Sequence, residues 1–225
     1  MPPLEGVAPT LVARARADQV ALAYASLPRT TLSMLLGALL LGIAMWNVTP
    51  STTMACWVAL VVVNQLARWR LTIAWRRARP GDDAVLRWGH YWAAGSTIAG
   101  ALWGGAAVAM YPDSPAHQAL LIVCLFGVVL GGLNLTAIWR PSFYGFVLPA
   151  LVPLIVRVAW SGDPVHVDTA LVMSVVLGFV LAFGHRVNDV LTQAMATRYE
   201  NVDLIDELRA QTRAAIEARA AAESA

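Results

Sequence analysis

The chain has 225 residues, of which 58% are hydrophobic and 13% charged, with a mean hydropathy of +0.61. That balance excludes an ordinary water-soluble domain and points to a helix bundle whose solvent is lipid. A net charge of +2, dispersed over short loops, leaves no basic patch for nucleic acid.

Residues 1–28 are read as a cytoplasmic segment holding a short, weakly amphipathic helix from about Thr10 to Leu27, interrupted by Pro28. Residues 29–186 follow as a membrane domain. Its first span is Thr31–Val48, closed by the turn "TPSTT". The second is most apolar over Thr53–Leu66 and continues helically into the basic stretch "ARWRLTIAWRRARP". Spans three to six are expected at about Tyr91–Met110, Gln118–Trp139, Phe143–Trp160 and Thr169–Gly184. The first span is retained, since no small-residue cleavage site follows it.

Arginine placement sets the orientation. With the N-terminus inside, fifteen of the sixteen arginines fall on the inner side and only Arg157 on the outer. Both termini are therefore expected inside. Trp46 and Trp160 are expected at the outer interface, and Trp69, Trp75, Trp88 and Trp139 at or beyond the inner one, as aromatic anchors. Cys56 and Cys124 lie in apolar segments, so no disulfide framework is expected.

All fourteen acidic residues lie outside the spans, which argues against a pump or coupled transporter. The four histidines show no ligand spacing, and no metal site is expected. No internal repeat of a transporter kind is visible. Asn47, Asn64, Gln65, Asn134 and His185 are polar groups within or near spans, suited to interhelical hydrogen bonds. Gly100–Gly104 and Gly127–Gly131 form small-xxx-small pairs suited to close packing. Pro149 and Pro153 bend or loosen span five. A ligand entering this bundle meets a mostly apolar lining, with Trp103, Asn134, Tyr144 and Pro149 as its candidate contacts.

Residues 187–225 form the third segment. From Val187 onward a heptad seam runs free of charge through Val187, Ala194, Asn201 and Leu208, with Val190, Thr197, Leu204 and Gln211 as companions. Asn201 at such a position fixes register and two-strandedness at a cost in stability. The expected fold class is thus an all-α membrane protein: six transmembrane helices, both termini inside, then a cytoplasmic dimeric coiled-coil helix. Asn201, Leu204 and Leu208 are the dimerisation residues of that expectation.

The stretch "RYENVDLIDELRAQTRAAIEARAAAESA" resembles the linker of bacterial sensor histidine kinases, in particular hybrid kinases with a multispanning N-terminal region. The resemblance rests on Glu200, Asn201, Leu204, Leu208, Arg209, Gln211, Glu223 and Ala225, and covers about the last thirty residues. It implies a homodimer in the bacterial inner membrane. A stimulus, such as a small lipophilic quorum-sensing molecule, would be relayed through the sixth span to a cytoplasmic kinase and its response regulator. ATP and magnesium would belong to a kinase domain beyond Ala225; this chain has no catalytic residue and no cofactor of its own. Diguanylate cyclases use similar linkers and are the alternative of like architecture. A small six-span transporter or channel is the alternative of another class.

Overall fold

A computed structural model of the chain describes residues 9–224, with the side chains at 9–13, 82, 83, 134, 135, 218–221, 223 and 224 outside the described set. Among the described residues there are seven helices and no strand: α1 Pro9–Ala25, α2 Leu27–Met45, α3 Ser51–Ala78, α4 Asp82–Ala109, α5 Pro115–Thr136, α6 Arg140–Ala159 and α7 Pro164–Ser224. Four of them, α2, α5, α6 and α7, are long and apolar enough to cross a membrane. Helices α3 and α4 overlay the second and third expected spans but carry more polar residues.

Turn chemistry separates the helices. The break between α1 and α2 falls at Ser26, whose hydroxyl donates back to the Ala23 carbonyl at 2.7 Å. Pro28 lies in the first turn of α2, where its missing N–H is harmless. Helix α3 ends at Arg79, which takes the left-handed conformation (φ 41°), and Pro80 follows it. Pro115, Pro141 and Pro164 each begin a helix in the same manner as Pro28.

The central packing is α4 against α6. The two run parallel, Ser96 beside Ser142, Gly100 against Phe146 and Gly104 against Pro149. A Cβ at Gly100 or Gly104 would collide with the carbonyl oxygen of Phe146 or Pro149, so these glycines let the backbones touch. The internal prolines leave α6 continuous, and Pro149 and Pro153 both face Gly104. A Cβ at Gly127 or Gly131, by contrast, would meet no atom within 4 Å among the described residues.

Around the α4–α6 pair, α3 runs antiparallel to α4, Trp57 donating to the Leu102 carbonyl at 2.9 Å near one end and Arg68 lying over Trp92 near the other. Trp103 sits at the middle of the main core, edge-on to Trp57 at 5.1 Å, its indole N–H directed at the Met34 sulfur at 3.2 Å. The outward surface is apolar: Leu32, Leu39, Ile43, Val123, Leu171, Val172 and Phe179 are all more than half exposed. Water would not tolerate so continuous an apolar surface on a monomer. With the four long apolar helices, it makes the chain a membrane protein.

Helix α1 packs on the bundle through Ala15, Val20, Ala23 and Tyr24, all fully buried. One expectation needs correction here: Trp139 is no interfacial anchor. It is buried at the α5–α6 turn and donates to the Gly89 carbonyl at 3.1 Å, because that turn folds in against α4. Trp46, Trp69 and Trp160 remain well exposed, as anchors require.

Candidate functional site

The buried face of α3 is polar where the faces of its neighbours are apolar. Val61, Asn64, Gln65, Arg68 and Thr72 recur at helical spacing and all are buried. Asn64 donates to the Gly95 carbonyl at 3.5 Å, and Thr31 of α2 donates to Gln65 at 3.4 Å. Arg68 is 4% exposed. Its guanidinium lies over the Trp92 ring, 4.3 Å from the centroid, and its Nε is buried without a hydrogen-bond partner. Among the described residues no carboxylate pairs with it.

Burying an unpaired charge is costly, and the ring faces around Arg68 offset only part of that cost. Tyr24 of α1 stacks on Trp75 at 4.5 Å and tilts against Trp92 at 4.9 Å. Its hydroxyl donates to the Trp88 carbonyl at 2.9 Å. Burial holds the Tyr24 phenol above its usual range, although the Arg68 charge pulls the other way. One aromatic cluster thus ties α1, α3 and α4 together around a single cation.

A second polar cluster forms where α7 leaves the bundle. Gln19 of α1 donates to the Thr192 hydroxyl at 2.6 Å, and Thr192 donates to the Asn188 carbonyl at 2.8 Å. The Asn188 amide donates to the carbonyls of Ala137 and Ile138, each at 2.9 Å, occupying acceptors that the end of α5 leaves free. Arg140 pairs with Asp189, which also lies 3.4 Å from the His185 ring. Farther along, the Tyr199 hydroxyl donates to Asp18; that bond, more than burial, holds the phenol above its usual value. A cleft of about 350 Å³ opens among these groups, lined by Arg16, Gln19, His90, Trp139, Arg140 and Asn188.

The docked face of α7 comprises Gly184, Asn188, Thr192, Met195, Ala196 and Tyr199. At 3.6 residues per turn, Val190, Ala194, Thr197, Asn201, Leu204 and Leu208 point the opposite way. All six are exposed, Leu204 at 56% and Leu208 at 66%, whereas Val187, the first expected seam position, is partly buried against the core. The expected boundary at residue 187 falls inside one unbroken helix of 61 residues, about 90 Å long.

Three of the four candidate ligand contacts have described side chains, and these face different neighbours. Trp103 is packed in the core, one residue from Gly104, which abuts Pro149; those two regions do meet. Tyr144 faces α7 instead, its hydroxyl 3.1 Å from the His185 ring. Asn134 lies on α5, and its side chain is outside the described residues. A largely apolar groove lies elsewhere, between α5 and α7. It holds about 520 Å³ and is lined by Ile122, Phe126, Val165, Asp168, Thr169 and Met173, among others. Arg68 and Asn188 are the residues the sequence hides best. The spacing 61, 64, 65, 68, 72 carries a signal for the first, and only the fold reveals the second.

Comparison of the chain with protein-family models, curated proteins and solved structures finds no match in any of the three.

Proposed function

We propose that the chain is the transmembrane signal-input and dimerisation region of a bacterial two-component sensor histidine kinase, with six spans and both ends cytoplasmic. The observation that carries this reading is α7. One continuous helix runs from an apolar, membrane-length segment into a solvated segment, docked on the bundle by one face and presenting a charge-free stripe on the other. A second copy laid along Val190, Ala194, Thr197, Asn201, Leu204 and Leu208 makes a two-stranded coil without disturbing the docked face. Any change in how the docked face sits then alters the pairing of the two output helices.

The six-span reading draws support from packing. Helix α4 runs parallel to α6 along much of its length, and α6 is of membrane length and composition. Helix α3 in turn runs antiparallel to α4. A partner packed in this way shares the depth of its neighbour, and the polar groups of α3 face protein instead of lipid. The stimulus is a small lipophilic molecule received in the groove between α5 and α7. A ligand there touches the output helix directly, and Asp168 and Thr169 offer its polar end a partner.

Cysteines placed singly at Leu204 and Leu208, in a background lacking Cys56 and Cys124, test the reading in native membranes. Oxidation is expected to yield dimers at both sites and none at Asp203 or Glu207. Monomers throughout would defeat it. A chimera joining α7 in register to an autokinase domain separates the kinase from the cyclase reading, through phosphate incorporation rather than cyclic dinucleotide synthesis.

A further inference from the structure

The basic end of α3 carries a feature the signalling role does not use. From Arg68 to Trp88 there are six arginines against two aspartates, Asp82 and Asp83. Arg70 and Arg77 stand seven residues apart, on one face of α3, and both are exposed. Among the described residues neither is in an ion pair. They border a groove of about 710 Å³ between α3 and the start of α4, whose floor is Ile73, Ala74 and Ala78 and whose far wall is Trp88. Leu66 continues the same face toward the apolar part of α3, 58% exposed, with Trp69 beside it at 51%.

We propose that this groove binds an anionic glycerophospholipid of the inner leaflet, its phosphate held by Arg70 and Arg77 and its acyl chains running along Leu66 and Val63. The proposal rests on the six-span reading for the depth of the groove. In that reading Arg70 lies four residues past Leu66 and Trp88 three residues before Tyr91, so both sit at headgroup level. Arginine suits the task because its planar fork meets two phosphate oxygens at once. Paired arginines about 10 Å apart along the axis reach a phosphodiester from both sides. The apolar floor and the indole take the glycerol backbone and upper chain, which a free phosphate would leave uncovered.

Native mass spectrometry of the protein released from bilayers of equal phosphatidylglycerol and phosphatidylcholine tests this. Retained phosphatidylglycerol is expected, with retention about 30-fold weaker in R70Q/R77Q, from about five-fold per arginine. The control R209Q/R213Q is expected to retain it as the parent does. Equal retention of the two lipids, or equal loss in both double variants, overturns the proposal. Displacement of the lipid by excess glycerol phosphate also overturns it, revealing a site for free anions. A cysteine at Ala78, probed on intact cells with a membrane-impermeant thiol reagent in a background lacking Cys56 and Cys124, keeps the premise separate. Labelling from outside sinks the six-span orientation itself. Protection together with absent lipid selectivity sinks only the lipid site.

Discussion

Along α4 and α6 two helices approach until backbone meets backbone at Gly100 and Gly104, and their buried hydroxyls, Ser96 and Ser142, bond to one another at 2.7 Å. Along α7 beyond Tyr199, every described side chain is exposed, Leu204, Leu208 and Ile216 included. The first region has no room for a changed shape. The second, among the described residues, has no contact that holds it to one. A molecule divided in this way keeps a fixed frame and leaves its adjustable surface to a partner, and the junction at Asn188 and Thr192 is where the two regimes meet.

The largest expected effect comes from forcing a Cβ between α4 and α6. Gly104→Ala should destabilise the bundle by about 3 kcal/mol, since the obstructing atom is a backbone oxygen and not a movable side chain. Thermal unfolding in detergent, followed by near-UV circular dichroism, measures it. Next comes Asn188→Ala, which strands the Ala137 and Ile138 carbonyls at a cost of about 2 kcal/mol. Hydrogen exchange should then show faster opening around α1 and the exit of α7 while Gly100 and Phe146 stay protected. Leu208→Asp lies on the other side of the comparison: thermal stability within about 0.5 kcal/mol of the parent, and crosslinking through Leu204→Cys abolished. The smallest loss is at Gly131→Ala, where no destabilisation is expected, because no described atom lies within 4 Å of the added methyl. A loss comparable to that of Gly104→Ala would mean that α5 meets a partner there.

An alkaline titration probes the cluster that ties α1 to the frame. The Tyr24 phenol is raised in the folded state, so its contribution is full below the unfolded value near 10 and fades as the pH climbs beyond it. Ultraviolet difference spectra should show two tyrosines, Tyr24 and Tyr199, ionising above the unfolded value in the parent, the buried component being Tyr24. Tyr24→Phe should remove that protected component.

The helices were legible because each apolar run is bounded by proline, glycine or a polar turn, from "TPSTT" to "SGDPVHVD". Their partners were not. Arg68 reads as one more cation in a basic exit, and its burial depends on Trp92 and Gly95 arriving from α4. Trp139 has the composition of an interfacial anchor, yet a tight turn draws it inward to Gly89. The two small-residue pairs look alike in sequence, and only packing separates Gly104, against Pro149, from Gly131, which meets none of the described side chains closely. Local chemistry therefore spoke for elements and ends, while pairings between residues 40 to 180 positions apart had to be seen.

The hydrogen bond from Gln19 to Thr192 spans 173 positions of chain. At roughly 5 to 20 residues per second, a ribosome needs about 10 to 35 s to deliver the second partner after the first. During that interval α1 has neither its polar clasp nor the α7 side of its docking surface. The closing of the bundle consequently waits until α7 has been made, and a substitution at Thr192 should be felt first in how much protein accumulates in the membrane.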